Sequence, residues 1–234
     1  TGSITVTACG VTIRNVEVIA QNQTFDDFFA IWLKHDEFCA EPIIIDRVSV
    51  IADGFITTAV RNAFGGPASV LSSKFIGIQD GILGFGSGLI QDTYIELGMS
   101  MNGEHNDGIQ TAGSNGLTIR HNTVLNPNDQ TSALALFTEF GSNQNMLVEN
   151  NLIAGGGYAC YCGDGVGAPS VNVDFIDNVF WKKYYPTVGA FGPGRAYNPN
   201  GGGVWSNNLY MEANGTLAGD GLTSTLVEQP DVDQ

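Results

Sequence analysis

The chain has 234 residues, 43% of them hydrophobic and 14% charged, with 24 Asp and Glu against 9 Lys and Arg, a formal charge of −15. That length suits one or two domains and suffices for a large core. The acid excess argues against nucleic-acid and anionic-membrane partners, which need clustered Lys and Arg, and no stretch approaches the ~18 apolar residues of a membrane span.

In chain order, short β-rich runs alternate with polar turns: VTIRNVEV (11–18), IIIDRVSV (43–50), SVLSSKFIGI (69–78), GLIQDTYIEL (88–97), GLTIRHNTVL (116–125), MLVENNLIA (146–154), VDFIDNVFW (173–181) and VWSNNLYM (204–211). Apolar residues alternate within each run, as half-buried strands require. Between the first two runs lies FDDFFAIWLKHDEF (25–38), expected to form a turn or a short helix. Aligned on their turns, the runs place Asn15, Arg47, Lys74, Thr93, Asn122, Asn151, Asn178 and Asn208 in one column, at separations of 32, 27, 19, 29, 29, 27 and 30. Apart from one short step, these match single coils of a parallel β-solenoid. Stacked coils rise ~4.8 Å each, so Asn122 to Asn208 are expected to form an amide ladder bonded from coil to coil.

A second column recurs at Asp53-Gly54-Phe55, Asp80-Gly81-Ile82 and Asp107-Gly108-Ile109, spaced 27 and 27. Reaching it takes 6 residues from Arg47 and 6 from Lys74, but 14 from Thr93, and 10 separate Asn122 from Ser132. The extra residues fall at 94–106, 123–131 and 180–188, all on one edge, where projecting loops wall a binding face. That face is expected to carry Glu96, Met99, Met101, Asn102, Glu104 and His105, then Asn126, Asn128 and Asp129, then Lys182, Lys183, Tyr184 and Tyr185. The Gly-rich segment 189–203 adds Arg195 and Tyr197. Aromatics, amides and a few charges together suit a carbohydrate.

The repeat pattern resembles the right-handed parallel β-helix proteins of the pectate-lyase-like superfamily over nearly the whole chain. The resemblance is closer at EHNDGIQTAGSNGLTIRHNTV (104–124), which is similar to a segment of many secreted bacterial and phage-associated β-helix proteins. In that group a His-x-Asp-Gly-Ile-Gln coil precedes coils like 132–137 and 155–162 here. The resemblance implies an all-β, single-domain (1–234) right-handed parallel β-helix of about eight coils. It also implies an extracellular protein, secreted or virion-associated, acting on a polysaccharide or surface glycan as a monomer or trimer. Members include lyases, hydrolases, epimerases and non-catalytic tail or surface proteins, so the fold does not set the chemistry. The Arg-Pro-Arg-type segment of pectate lyases is not matched, nor are the paired Asp-Asp and His-Gly segments of polygalacturonases.

The sharpest constellation is Glu104, His105, Asp107 and Gln110, with Asp80 one coil below and Asp53 two below. Such stacking would set Asp80 and Asp107 ~5 Å apart and Asp53 ~10 Å from Asp107, near the separations of glycosidase carboxyl pairs. Three stacked carboxylates repel unless one is protonated or a cation such as Ca²⁺ sits among them. Asp-Gly before an apolar residue is equally a turn-into-strand device. Acid pair, calcium site and structural repeat therefore all stay open. His105 occurs once, in an expanded loop, and suits a general base or acid. Lys183 and Tyr184 belong to the one dense basic-aromatic cluster and would assist β-elimination. Expected sugar contacts are Gln110, Glu104, Asn102, Arg195 and Tyr197. The expected function is glycan cleavage by elimination or hydrolysis, with a non-catalytic glycan-binding, adhesin or phage-tail module as the alternative. Cys9 and Cys39 suit a disulfide between adjacent coils, whereas Cys160 and Cys162 read as buried thiols. Because the chain begins almost inside a strand pattern, trimming ahead of Thr1 and a cap there are expected.

Overall fold

A strand with alternating apolar residues must bury one face against something, and here three such faces meet around a common interior. The computed structural model describes residues 3–21, 28–35, 39–53, 58–99, 105–163 and 168–218; the side chains of Gln21, Asp53 and Ala112 are outside that description. Among the described residues there is no helix, and the chain winds as a right-handed parallel β-solenoid of about seven turns. Each turn adds one strand to each of three sheets. Sheet A runs from Ile4–Val6 to Tyr158–Tyr161, sheet B from Thr12–Arg14 to Trp205–Ser206, and sheet C from Glu17–Gln21 to Leu209–Met211. The expected eight coils are nearly met, because the last turn is partial. On sheet A it is only a pair of bridges, Gly192 to Tyr158 and Arg195 to Tyr161.

In-register pairing stacks like on like. Sheet A contributes Ile31, Val60, Ile82, Ile109, Leu134 and Cys160 to the interior; sheet B contributes Ile45, Val70, Ile90, Ile119, Val148 and Phe175; sheet C contributes Val50, Phe75, Ile95, Val124, Ile153 and Phe180. All of these are fully buried. The segment expected as a short helix carries the strand Phe29–Leu33, paired on both sides. Ala30, Ile31 and Leu33 fill a rung of the core there, and neighbouring strand edges satisfy the backbone, which overrides local periodicity.

Between sheets B and C the chain turns through one left-handed residue per coil. Asn15, Arg47, Ser72, Asp92, His121, Asn150, Asp177 and Asn207 all have φ between 47° and 56°. The next residue points inward, giving the column Val48, Ser73, Thr93, Asn122, Asn151, Asn178 and Asn208. The sequence-derived column therefore mixes three positions. Asn15 and Arg47 sit on the left-handed turn, Lys74 opens a sheet C strand, and only Thr93 onward lie on the inward position. Both turn positions accept Asn readily, one for its tolerance of positive φ and one for its amide, so the repeat slips by one residue without penalty to the eye.

The Asn ladder is present as expected. Asn151 Oδ1 accepts from the Asn122 backbone N–H and Nδ2, both at 3.0 Å, while Asn151 Nδ2 donates to Ile119 O at 2.9 Å and to Asn178 Oδ1 at 2.9 Å. Asn178 and Asn208 repeat the pattern. The C-terminal end is plugged by rings: Trp205 stacks on Phe175 at 4.9 Å and meets Tyr197 at 5.1 Å. Leu217–Ala218 then folds back antiparallel over Leu209–Met211. Cys9 and Cys39 form the expected disulfide between neighbouring coils. Cys160 and Cys162 are buried as expected, with their sulfur atoms next to each other.

Candidate functional site

The carboxylate column is shorter than the spacing suggested. Asp80 pairs with Thr58 below, and its neighbour Ile82 pairs with Ile109 above, so Asp107 follows Asp80 in sheet A. Asp53 pairs with Gln21 in sheet C, on a different wall of the solenoid. The even spacing of 27 hides this, because Asp53 still closes a sheet C strand, whereas Asp80 already opens a sheet A strand two residues after sheet C ends at Ile78. A three-carboxylate cation site is thus not assembled along this column, and among the described residues no group of three His, Cys, Asp or Glu side chains could hold a metal.

Asp80 and Asp107 are buried, and each carboxylate binds the backbone of the coil above. Asp80 Oδ1 accepts from the Asp107 N–H at 2.9 Å; Asp107 Oδ1 accepts from the Ser132 N–H at 3.2 Å and from Ser132 Oγ at 3.4 Å. Thr58, Asp80, Asp107 and Ser132 make a second polar column, anchoring the start of sheet A as the Asn ladder anchors sheet C. Burial pushes the Asp107 carboxyl up to about 7, against the lowering effect of its donors. Asp80 is raised well above the usual carboxylate range by burial and then by the Asp107 charge. A pair of buried, stacked carboxyls held this way favours at least one proton at neutral pH.

His105, two residues earlier, is exposed, and its carbonyl accepts from Gln79 Nε2 at 2.8 Å. Glu104 and Asn102 lie outside the described residues. Lys183 and Tyr184 pack over the outer side of sheet C rather than at the carboxylates. Lys183 Nζ lies 5.1 Å from the Trp181 ring and 5.2 Å from the Tyr184 ring, and a Cβ at Gly155 would come 3.0 Å from Tyr184. Burial, and then the Glu96 carboxylate, pushes the Tyr184 hydroxyl up to about 12.

The described connections from sheet C to sheet A, at 127–131, 156–157 and 182–191, emerge on one edge. They are not all exposed binding loops. Asn126 and Asn128 are buried and pin their loop, Asn126 Nδ2 donating to Asn106 O at 2.7 Å and Asn128 Nδ2 to Gly98 O at 2.8 Å. Tyr185 reaches across to donate to Pro127 O at 3.0 Å.

Gln110 and Arg195 do share a face. The outward column of sheet A reads Trp32, Arg61, Leu83, Gln110, Ala135, Tyr161 and Arg195, which sets Gln110 and Arg195 three rungs, or ~14 Å, apart. Tyr197 belongs instead to the ring plug against Phe175 and Trp205. Near Arg195 the rings touch in sequence: Phe137 to Tyr161 at 5.3 Å, Tyr161 to Tyr158 at 5.5 Å and Tyr158 to Phe191 at 5.9 Å. The run ends in a cleft of about 310 Å³ lined by Tyr158, Lys182, Pro186, Thr187, Phe191, Gly192, Pro193, Gly194 and Tyr210. The repeat pattern did not mark Tyr158, Phe191 or Tyr210. A signal for Tyr161 existed, since it occupies the rung position of Gln110, but the irregular last turn hides Phe191. No family model, no curated protein and no solved structure matches this chain.

Proposed function

We propose that this protein is an extracellular glycan-binding β-helix of the pectate-lyase-like type, secreted or virion-borne, holding a polysaccharide along the C-terminal half of the outer face of sheet A. The solvent-facing rings of Phe137, Tyr161 and Phe191, joined through the buried Tyr158 beneath them, carry this reading. Rings present flat apolar faces to the C–H faces of sugars, while Arg195 and Gln110 on the same column supply donors to hydroxyls. Retention on immobilised neutral and uronic-acid polysaccharides tests it: the native chain is retained on at least one, and Tyr161→Ala weakens retention by about tenfold, the value of one good contact. Retention on none, with the protein folded, overturns it.

A second reading, cleavage of the glycan, is favoured by the buried Asp107 carboxyl, pushed up to about 7, two residues along the chain from the exposed His105. There His105 is the base or acid, and Asp107 with Asp80 the acid pair. The same polysaccharides, with and without Ca²⁺, are followed for unsaturated-product absorbance and new reducing ends. Absorbance with reducing ends marks a lyase, and reducing ends alone a hydrolase. Turnover unchanged in His105→Ala removes His105 from the mechanism.

A further inference from the structure

After sheet C's strand Val179–Trp181 the chain does not return directly to sheet A; segment 182–191 arches over the edge before Gly192 pairs with Tyr158. The arch closes the cleft of about 310 Å³, at the small end of ligand pockets, which run ~300–1,000 Å³. Its walls are stiff and largely apolar: Pro186 and Pro193, with the rings of Phe191 and Tyr210. Its polar groups are few. Thr187 donates its hydroxyl to Gly189 O at 2.6 Å, and Lys182 Nζ is paired with Glu212 Oε1 at 2.7 Å. Tyr158 is fully buried, and its hydroxyl has no hydrogen-bond partner among the described residues. A buried hydroxyl without a partner is rare and calls for one.

The backbone of the arch is also under strain. Val188 is fully buried with φ 77°, a left-handed conformation that a β-branched residue adopts only when its surroundings impose it. Such strain gathers at ligand clamps, and Val188 adjoins the cleft-lining Thr187.

We propose that this cleft binds one neutral pyranose unit at the end of a glycan. The sugar's C–H face lies on Phe191 or Tyr210, and its hydroxyls exchange hydrogen bonds with Lys182 Nζ and, as the ring turns from its buried position toward the cleft, with Tyr158 Oη. The unit is neutral because Glu212 already balances the Lys182 charge, and a carboxylate would have to displace it within a chain of net charge −15. It is terminal because the cleft stands where the run of rings stops, at the last rung of sheet A. The assignment rests on the glycan reading of that run.

Calorimetric titration with methyl glycosides of glucose, galactose, mannose and N-acetylglucosamine, and with glucuronate, tests it on the native chain and on Tyr158→Phe and Lys182→Met. At least one neutral glycoside binds, glucuronate binds more weakly, and each variant weakens the neutral glycoside by about tenfold, one hydrogen bond's worth, with thermal unfolding unchanged. Lys182→Met keeps the test intact should Tyr158→Phe fold poorly. Glucuronate binding more tightly, or equal binding by both folded variants, overturns the assignment. Polysaccharide retention without any glycoside binding overturns the cleft but leaves the glycan face standing; neither kind of binding overturns both.

Discussion

Asp107 shows what a single buried side chain does to this fold. Its carboxylate accepts from the Ser132 N–H of the next coil, yet burial disfavours its charge. With a folded pKa raised to about 7 from an unfolded value of ~3.9, its contribution to stability is fully present below pH ~4 and is lost as pH rises through about 7. Each tenfold difference in proton affinity between the folded and unfolded chain is worth ~1.4 kcal/mol. Asp107→Asn keeps the accepting oxygen and removes the titration. Its melting temperature therefore equals that of the native chain at pH 4 and exceeds it at pH 8; a difference independent of pH would refute the buried-acid account. The same side chain also illustrates legibility. The Asp-Gly-apolar pattern is plain in the sequence, but Asp53, Asp80 and Asp107 look alike there, and only backbone pairing separates Asp53 from the other two.

At the scale of elements, two polar ladders compete with the aliphatic columns for the interior. In the Asn ladder each amide satisfies a backbone N–H of the coil below, so removing one orphans several groups at once. Asn151→Ala leaves the Asn122 N–H and the Ile119 carbonyl without their partners, and unsatisfied buried groups cost ~1–3 kcal/mol each. A loss on the order of 3 kcal/mol is expected in urea unfolding, against a far smaller one for exposed Asn145→Ala. Gly155 is a different constraint. It has φ 82°, and a Cβ there would run into the Asn126 carbonyl oxygen. Gly155→Ala therefore pushes apart the two coils that support the arch over the cleft, lowering the melting temperature and weakening glycoside binding together; a change in one alone would show that the arch and the coils are independent.

Among the described residues backbone pairing joins each coil only to its neighbours, with Tyr185 to Pro127 as a contact that skips one coil, so stability is distributed largely along one dimension. The central rungs carry aliphatic columns and the Asn ladder, while the C-terminal end relies on the Trp205 ring plug. Hydrogen exchange should be slowest over 117–154 and faster beyond 205. Trp205→Ala should speed exchange in the last two coils and leave 88–97 unchanged; uniform acceleration would mean that the solenoid unfolds as one body. Reducing the Cys9–Cys39 bond should act at the opposite end, on the first two coils alone.

Residue order alone makes the chain a parallel solenoid, because a period near one coil and a period of two within each run leave no other way to bury the apolar residues. It determined the Asn ladder from Asn122 to Asn208 and the edge from which the long connections emerge, since both are differences in residue number along the chain. Tertiary structure decided everything that depends on register between coils. It assigned Asp53 to one wall and Asp80 with Asp107 to another, buried Asn126 and Asn128, and turned Tyr197 into the plug. It also joined Tyr158, Lys182, Phe191 and Tyr210, far apart along the chain, around one cleft. A one-residue slip of alignment moves a side chain to the opposite face of a strand, and loops of unequal length hide that slip until the backbone hydrogen bonds fix it.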